Sequence, residues 1–228
     1  MGFDKLSMTE RPRLRWGVMA VCALAVSACG GGSGGSSLAA STARSGLASV
    51  SGSTVNATLS SEQNRNVQDA RVGLVAYVTG TDPVAGQVVG LAGVRSGATV
   101  GTVRTTGTAS YNTQYAYDVV ENVTRTSTTI GGTRYTQPTQ TMTLNADFGA
   151  RTLTGTSSDV TVNGTISGSA VAGTATVDYN FNPLIGAPAS GRVVTTLNGN
   201  IGSTGIIGAF HGSDSNTVVA GGLVGVAN

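Results

Sequence analysis

The sequence predicts an all-β fold: an eight-stranded antiparallel β-barrel, preceded by a small handle-like β region and a flexible tether. Three observations carry that prediction. In the second half of the chain apolar and polar residues alternate with a period of two, as in TMTLNADF, where Met142, Leu144, Ala146 and Phe148 share one face and Thr141, Thr143, Asn145 and Asp147 the other. Such runs recur at intervals of about ten residues, and eight of them suffice to close a small barrel filled by side chains. No stretch from residue 38 onward combines a helical period with helix caps.

The first element is an export signal, residues 1–28. Arg11, Arg13 and Arg15 precede an apolar run from Trp16 to Val26, which is shorter than the roughly twenty residues that span a bilayer as a helix. The run ends in Val26-Ser27-Ala28-Cys29, which resembles the lipobox of bacterial lipoproteins, where the cysteine is lipidated and everything before it is removed. Cys29 is thus the expected lipidation site, and outer-membrane lipid its expected partner. Gly30 follows it rather than the aspartate that marks inner-membrane retention in enteric-type bacteria, which favours the outer membrane. Residues 29–65 then read as a tether, with GGGSGGSS at 30–37 as its flexible part and weak strand or disorder expected over 38–65, where apolar positions are scattered at Leu47, Val50, Val55 and Leu59.

Residues 66–101 form the handle-like β region. Val72, Leu74, Ala76 and Val78 share parity, Gly80-Thr81-Asp82-Pro83 supplies turn chemistry, and the glycine-interrupted 84–101 gives one or two short strands. The barrel follows over 102–228, with strands expected at 102–111, 113–121, 139–148, 151–157, 159–167, 173–181, 201–211 and 217–227. Gly149-Ala150 is the turn of a hairpin between 139–148 and 151–157. Two connections are longer than a hairpin needs: Glu121 to Thr139, and Asn180 to Arg192 with Pro183 and Pro188.

Composition excludes several functions. Charged residues are 11% of the chain, against about a quarter in an ordinary soluble domain, so no basic field is available to grip nucleic acid. Mean hydropathy is +0.12 and the hydrophobic share 39%, which sets the chain apart from disordered sequences. Cleavage before Cys29 removes Lys5, Arg11, Arg13, Arg15, Asp4 and Glu10, which leaves nine basic and nine acidic groups of the original 13 and 11, and no lysine. Cys22 leaves with the signal and Cys29 is consumed by lipid, so no thiol is left for a disulfide or for nucleophilic chemistry. His211, the single histidine, follows Phe210 on a strand and is expected to face solvent on the opposite side. With one imidazole and no G-x-S-x-G elbow, Ser/His/Asp catalysis is not expected, and neither a metal nor a cofactor is.

Three segments carry a family resemblance: Gly107-Thr108-Ala109-Ser110-Tyr111, then Asp147-Phe148-Gly149-Ala150-Arg151-Thr152-Leu153-Thr154-Gly155, then Gly208-Ala209-Phe210-His211-Gly212 with Ala220-Gly221-Gly222. In this order, after a lipobox, they resemble the C-terminal β-barrel of the transferrin-binding protein B superfamily of surface lipoproteins, including the transferrin-binding-protein-like solute-binding proteins. The likeness covers roughly residues 70–228. The closing segment lacks the usual proline and glutamate, and the chain is one short lobe, so transferrin binding itself is not implied. The resemblance implies a surface location, export by a lipoprotein translocon, a TonB-dependent receptor as partner, and a barrel that displays loops to a ligand.

Function is expected to be binding without catalysis, of a host protein, an iron carrier or a small solute. The contact residues expected are Tyr115, Tyr117 and Tyr135, because tyrosine presents an apolar body and a polar tip, with Asn182, Pro183 and Pro188 of the second long connection. The competing reading is a structural or adhesive β-module without a small ligand, suggested by the small-residue texture of TVNGTISGSAVAG.

Overall fold

The computed structural model describes residues 42–125, 130–182 and 188–228, all of which fall in one compact unit, Ala39–Asn228. Six strands precede the barrel: β1 (Ala43–Leu47), β2 (Val50–Ser51), β3 (Thr54–Val55), β4 (Ser60–Asp69), β5 (Gly73–Asp82) and β6 (Gln87–Val94). Four of them make a sheet in the order β1-β6-β5-β4, antiparallel except that β1 runs parallel to β6, while β2 and β3 form a short hairpin. The sheet therefore takes β1 and half of β4 from the stretch read as tether, whose polar alternation (SSEQNRNVQD) hides a strand with only one buried apolar residue, Val67.

Strand β5 is buried on both faces. Val75 and Tyr77 turn to the barrel, and Leu74, Ala76 and Val78 pack under Val55, Val50, Ala57 and Leu59 of the hairpin segment. The parity Val72-Leu74-Ala76-Val78 was a correct strand signal, and the opposite parity is equally apolar because a second layer lies on each side.

The barrel is closed, antiparallel and eight-stranded, as expected: β7 (Thr108–Arg125), β8 (Ile130–Asp147), β9 (Thr152–Thr156), β10 (Val160–Ser167), β11 (Ala170–Phe181), β12 (Ala189–Ile201), β13 (Gly205–Ser213) and β14 (Val218–Ala227), with β14 pairing β7. The count of eight conceals two compensating errors. Runs 102–111 and 113–121 are one strand, β7, in which Tyr111, Thr113, Tyr115 and Tyr117 keep one parity without interruption. Strand β12 was missed, because Pro183 and Pro188 drew attention to a loop up to Arg192, although Val193, Thr195 and Leu197 just after it alternate inward.

The hairpin around Gly149-Ala150 forms as expected, with Phe148 buried at 2% exposure. Inside, Tyr111, Tyr115, Tyr117, Leu144, Leu153, Val162, Val177, Leu197, Phe210 and Leu223 fill the barrel. Strands β13 and β14 are buried on both faces because the small sheet covers their outer side, where Ile207, Ala209, Ala220 and Val224 meet Val75, Tyr77 and Ala92. Their near-continuous apolar runs, GIIGAF and VVAGGLV, are the pattern of doubly buried strands. Glycine sets the spacing of the two layers: a Cβ on Gly222 would lie 2.4 Å from Val75 Cγ1, and one on Gly90 2.4 Å from Val218 Cγ1. His211 is half-buried under β1, with Nδ1 3.2 Å from Ser45 Oγ, and burial pulls its pKa below the usual imidazole value. The expectation of a solvent-facing histidine is corrected by that covering layer.

Candidate functional site

The site is built by a local flaw in β8. Proline has no N–H to give a ladder, and Pro138 sits where the pairing of β7 with β8 slips: Tyr115 faces Gln140 but Tyr117 faces Gln137, so Pro138 and Thr139 together oppose Ala116. The extra residue inverts the parity of everything before it. Met142, Leu144 and Ala146 point inward, and beyond the bulge Tyr135 points inward too, while Arg134 turns out toward the small sheet. An unbroken alternation would have put Arg134 in the barrel and Tyr135 outside. The segment 130–139, expected as part of a loop, is strand for this reason.

A second feature is a notch in the barrel wall. Strand β9 pairs with β8 only from Leu144 to Asp147, and β10 begins at Val160 opposite Val177. Above those points β8 and β11 have no β9–β10 neighbour between them among the described residues. Side chains bridge the space: the rings of Tyr135 and Phe181 stack at 5.2 Å with an interplanar angle of 8°, Tyr179 lies 6.0 Å from Phe181, and Tyr117 meets Phe181 edge-on at 6.5 Å.

Under this aromatic group the tyrosine hydroxyls meet carboxylates. Tyr115 and Tyr117 both donate to Asp159 in the β9–β10 turn, the latter at 2.9 Å, and Tyr179 donates to Glu121 Oε1 at 2.6 Å. Burial, and then the neighbouring Asp159, push the Tyr115 phenol up to about 12 and Tyr117 higher still; burial and Glu121 raise Tyr179 likewise. All three stay neutral donors at physiological pH, which holds the turn Ser157–Asp159 and the strand ends in fixed relation.

Of the residues expected from sequence, Tyr115 and Tyr117 lie in the barrel interior, each about fully buried at 1% exposure, and act as the floor of this end. Tyr135 is half-buried in the notch, and Asn182 and Pro188 are exposed at the two ends of the β11–β12 connection, next to Phe181. Pro183 and Cys29 lie outside the described residues. Phe181, Tyr179, Glu121 and Asp159 were missed as site residues. The alternation in TATVDYNF marked the first two as inward-facing, and nothing local marks the carboxylates, which arrive from β7 and from the β9–β10 turn.

Neither a known protein family nor a curated protein matches this sequence. Among solved structures, the isotype 1 transferrin binding protein B from serogroup B Neisseria meningitidis aligns over 72% of this chain and 35% of its own, at 15% identity and a TM-score of 0.46. A mutant of the vaccine antigen transferrin binding protein B from Haemophilus parasuis Hp5 aligns over 73% and 37%, at 13% identity and a TM-score of 0.45. The likeness is one of fold. The chain spans little more than a third of the length of either protein.

Proposed function

We propose that this protein is a lipid-anchored, surface-displayed binding protein that holds its ligand on the rim of the barrel and performs no catalysis. The observation that carries the reading is the Tyr135–Phe181 stack, set in a gap of the barrel wall and flanked by exposed Asn182 and Pro188. Half-exposed aromatic side chains held rigid by a scaffold give contact area at small entropic cost, and loops on a rigid barrel are where contacts concentrate. Because tyrosine, leucine and valine fill the interior, the ligand rests on the rim, which suits a protein surface or an iron carrier better than a solute enclosed in the barrel. The sequence supports the anchor through the signal, Cys29 and the glycine tether, with outer-membrane lipid, a lipoprotein translocon and a TonB-dependent receptor as the partners that go with it.

The test is capture by the full chain, immobilised through its C-terminus, from the proteins and iron complexes of its growth environment. The double variant Tyr135→Ala with Phe181→Ala is run beside it, and the thermal transition is recorded to show that the barrel stands. Loss of a saturable captured species in the variant supports the rim site. Equal capture by both, or none by the native chain, favours the structural or adhesive β-module.

A further inference from the structure

The opposite end of the barrel carries a second site, independent of the rim. It is formed by the Asp147-to-Arg151 turn, the β10–β11 turn and the segment that enters β7. Arg104, Thr105, Phe148, Arg151, Ile166, Ser167 and Gly168 line a pocket of about 160 Å³ there. Two arginines share that lining with a threonine and a serine, and no acidic residue is part of it. Arg104 lies over the buried Phe148 ring, 5.5 Å from its centroid, which holds the cation against an apolar floor. The nearest acid by sequence, Asp147, lines the adjoining groove, where its Oδ1 accepts the Ala150 N–H at 2.8 Å. Arg104 and Arg151 are both exposed and neither forms an ion pair among the described residues, whereas the equally exposed Arg71 and Arg192 both do.

Arg151 is also held in an unfavourable backbone conformation. Its φ is +59°, a left-handed value that suits glycine or asparagine. Its carbonyl accepts the Ile166 N–H at 2.9 Å, which ties the turn to β10. A non-glycine residue kept at such a φ costs about 1 kcal/mol or more and calls for a role for its side chain. Two cationic residues line one small pocket with no acidic residue among them, a lining that suits an anion.

We propose that this pocket binds a phosphate-type oxyanion, gripped by Arg104 and Arg151 with the hydroxyls of Thr105 and Ser167 beside them. Guanidinium pairs oxyanions in a two-pronged geometry that a point charge does not match. The volume admits a phosphate with its first substituent and is too small for a nucleotide. The same chemistry is offered by free phosphate and by a phospholipid headgroup.

The experiment titrates the full-length protein at constant ionic strength with inorganic phosphate, with a water-soluble short-chain phosphatidylglycerol, and with chloride, following the thermal midpoint and the phosphorus NMR linewidth. A saturable response to inorganic phosphate assigns a free oxyanion as ligand, and a response to the lipid alone assigns a headgroup. Arg104→Gln and Arg151→Gly are each expected to weaken binding by about tenfold or more, and the glycine variant relieves the left-handed strain, so it stays folded. Arg192→Gln, paired with Asp178 on the barrel's outer wall, is expected to bind as the native chain does. The proposal is overturned if neither phosphate probe exceeds chloride, or if both pocket variants bind as well as the native protein.

Discussion

Asp118→Asn tests the electrostatics of the joint between the small sheet and the barrel. Asp118 points outward from β7, is fully buried at 0% exposure, and has Arg65 Nε 3.3 Å from Oδ1. Its carboxylate oxygens receive no hydrogen bond of full geometry, whereas Arg134 beside it donates to Thr79 Oγ1 at 2.8 Å, Thr79 O at 2.9 Å and Ser61 O at 3.0 Å. At 3.3 Å the attraction to Arg65 is about 5 kcal/mol for an effective dielectric of about 20. Arg65 is 40% exposed, so water screens much of that, while burying the carboxylate costs several kcal/mol. Desolvation wins and raises the Asp118 pKa above its ordinary value, against the Thr136 hydroxyl, the charges of Arg65 and Arg134 and the Thr79 hydroxyl, which all favour the carboxylate.

The sign follows from linkage. A carboxyl that holds its proton more tightly in the folded state binds more protons folded than unfolded between its two pKa values, so stability falls as pH rises through that window. Asparagine imitates the protonated form at every pH. It leaves Arg65 able to hydrate and Arg134 satisfied by neutral acceptors, so no stranded buried charge results. Asp118→Asn is therefore expected to stabilise the protein by about 1 kcal/mol at pH 7.5, the low end for removal of a poorly compensated buried ion pair, and to match the native protein only below the unfolded carboxyl's pKa, at about pH 3. Urea unfolding of both proteins across that range gives the difference, in which the opposite slopes of exposed pairs such as Asp69–Arg71 and Asp178–Arg192 cancel. A variant less stable by about 3 kcal/mol at pH 7.5, the usual cost of stranding a buried charge, would refute the reasoning. So would a difference that does not change with pH.

Three further outcomes are expected. Phe148→Ala removes a buried ring and the floor under Arg104, and should cost about 3–5 kcal/mol by denaturant unfolding. Gly222→Val drives a side chain into Val75, whose Cγ1 lies 2.4 Å from the position of the new Cβ; a loss of about 1–3 kcal/mol in urea is expected, with the small sheet exchanging amide protons faster than the barrel interior. Cys29→Ser should give a protein recovered in the water-soluble fraction of cells, where intact mass of the native chain shows a lipidated cysteine.

Much of the barrel was legible because alternation is a local property. Met142-Leu144-Ala146-Phe148 and Val177-Tyr179-Phe181 declare an inward face without reference to any other strand, and the turn at Gly149-Ala150 follows from its own residues. The tyrosine and long-connection signals converge in space, since Tyr135, Asn182 and Pro188 gather around Phe181 at one end of the barrel. Alternation is silent about what lies on the far side of a strand. That is why the polar strand β4 passed for tether and His211 for a surface residue.

By itself, then, the sequence determined the all-β class, the apolar inward face of most barrel strands and the hairpin at Phe148. Each depends on the nature of residues or on their spacing within about ten positions. Tertiary structure decided what depends on a partner strand far along the chain. The bulge at Pro138 exists only relative to Ala116 of β7, and it alone turns Tyr135 inward and Arg134 outward. The second burial of β13 and β14 comes from a sheet that begins over a hundred residues earlier, and the charge state of Asp118 depends on Arg65 of that same sheet. A side chain's parity is written in its own strand, whereas its neighbours, and the dielectric they create, are set by the register in which distant strands meet.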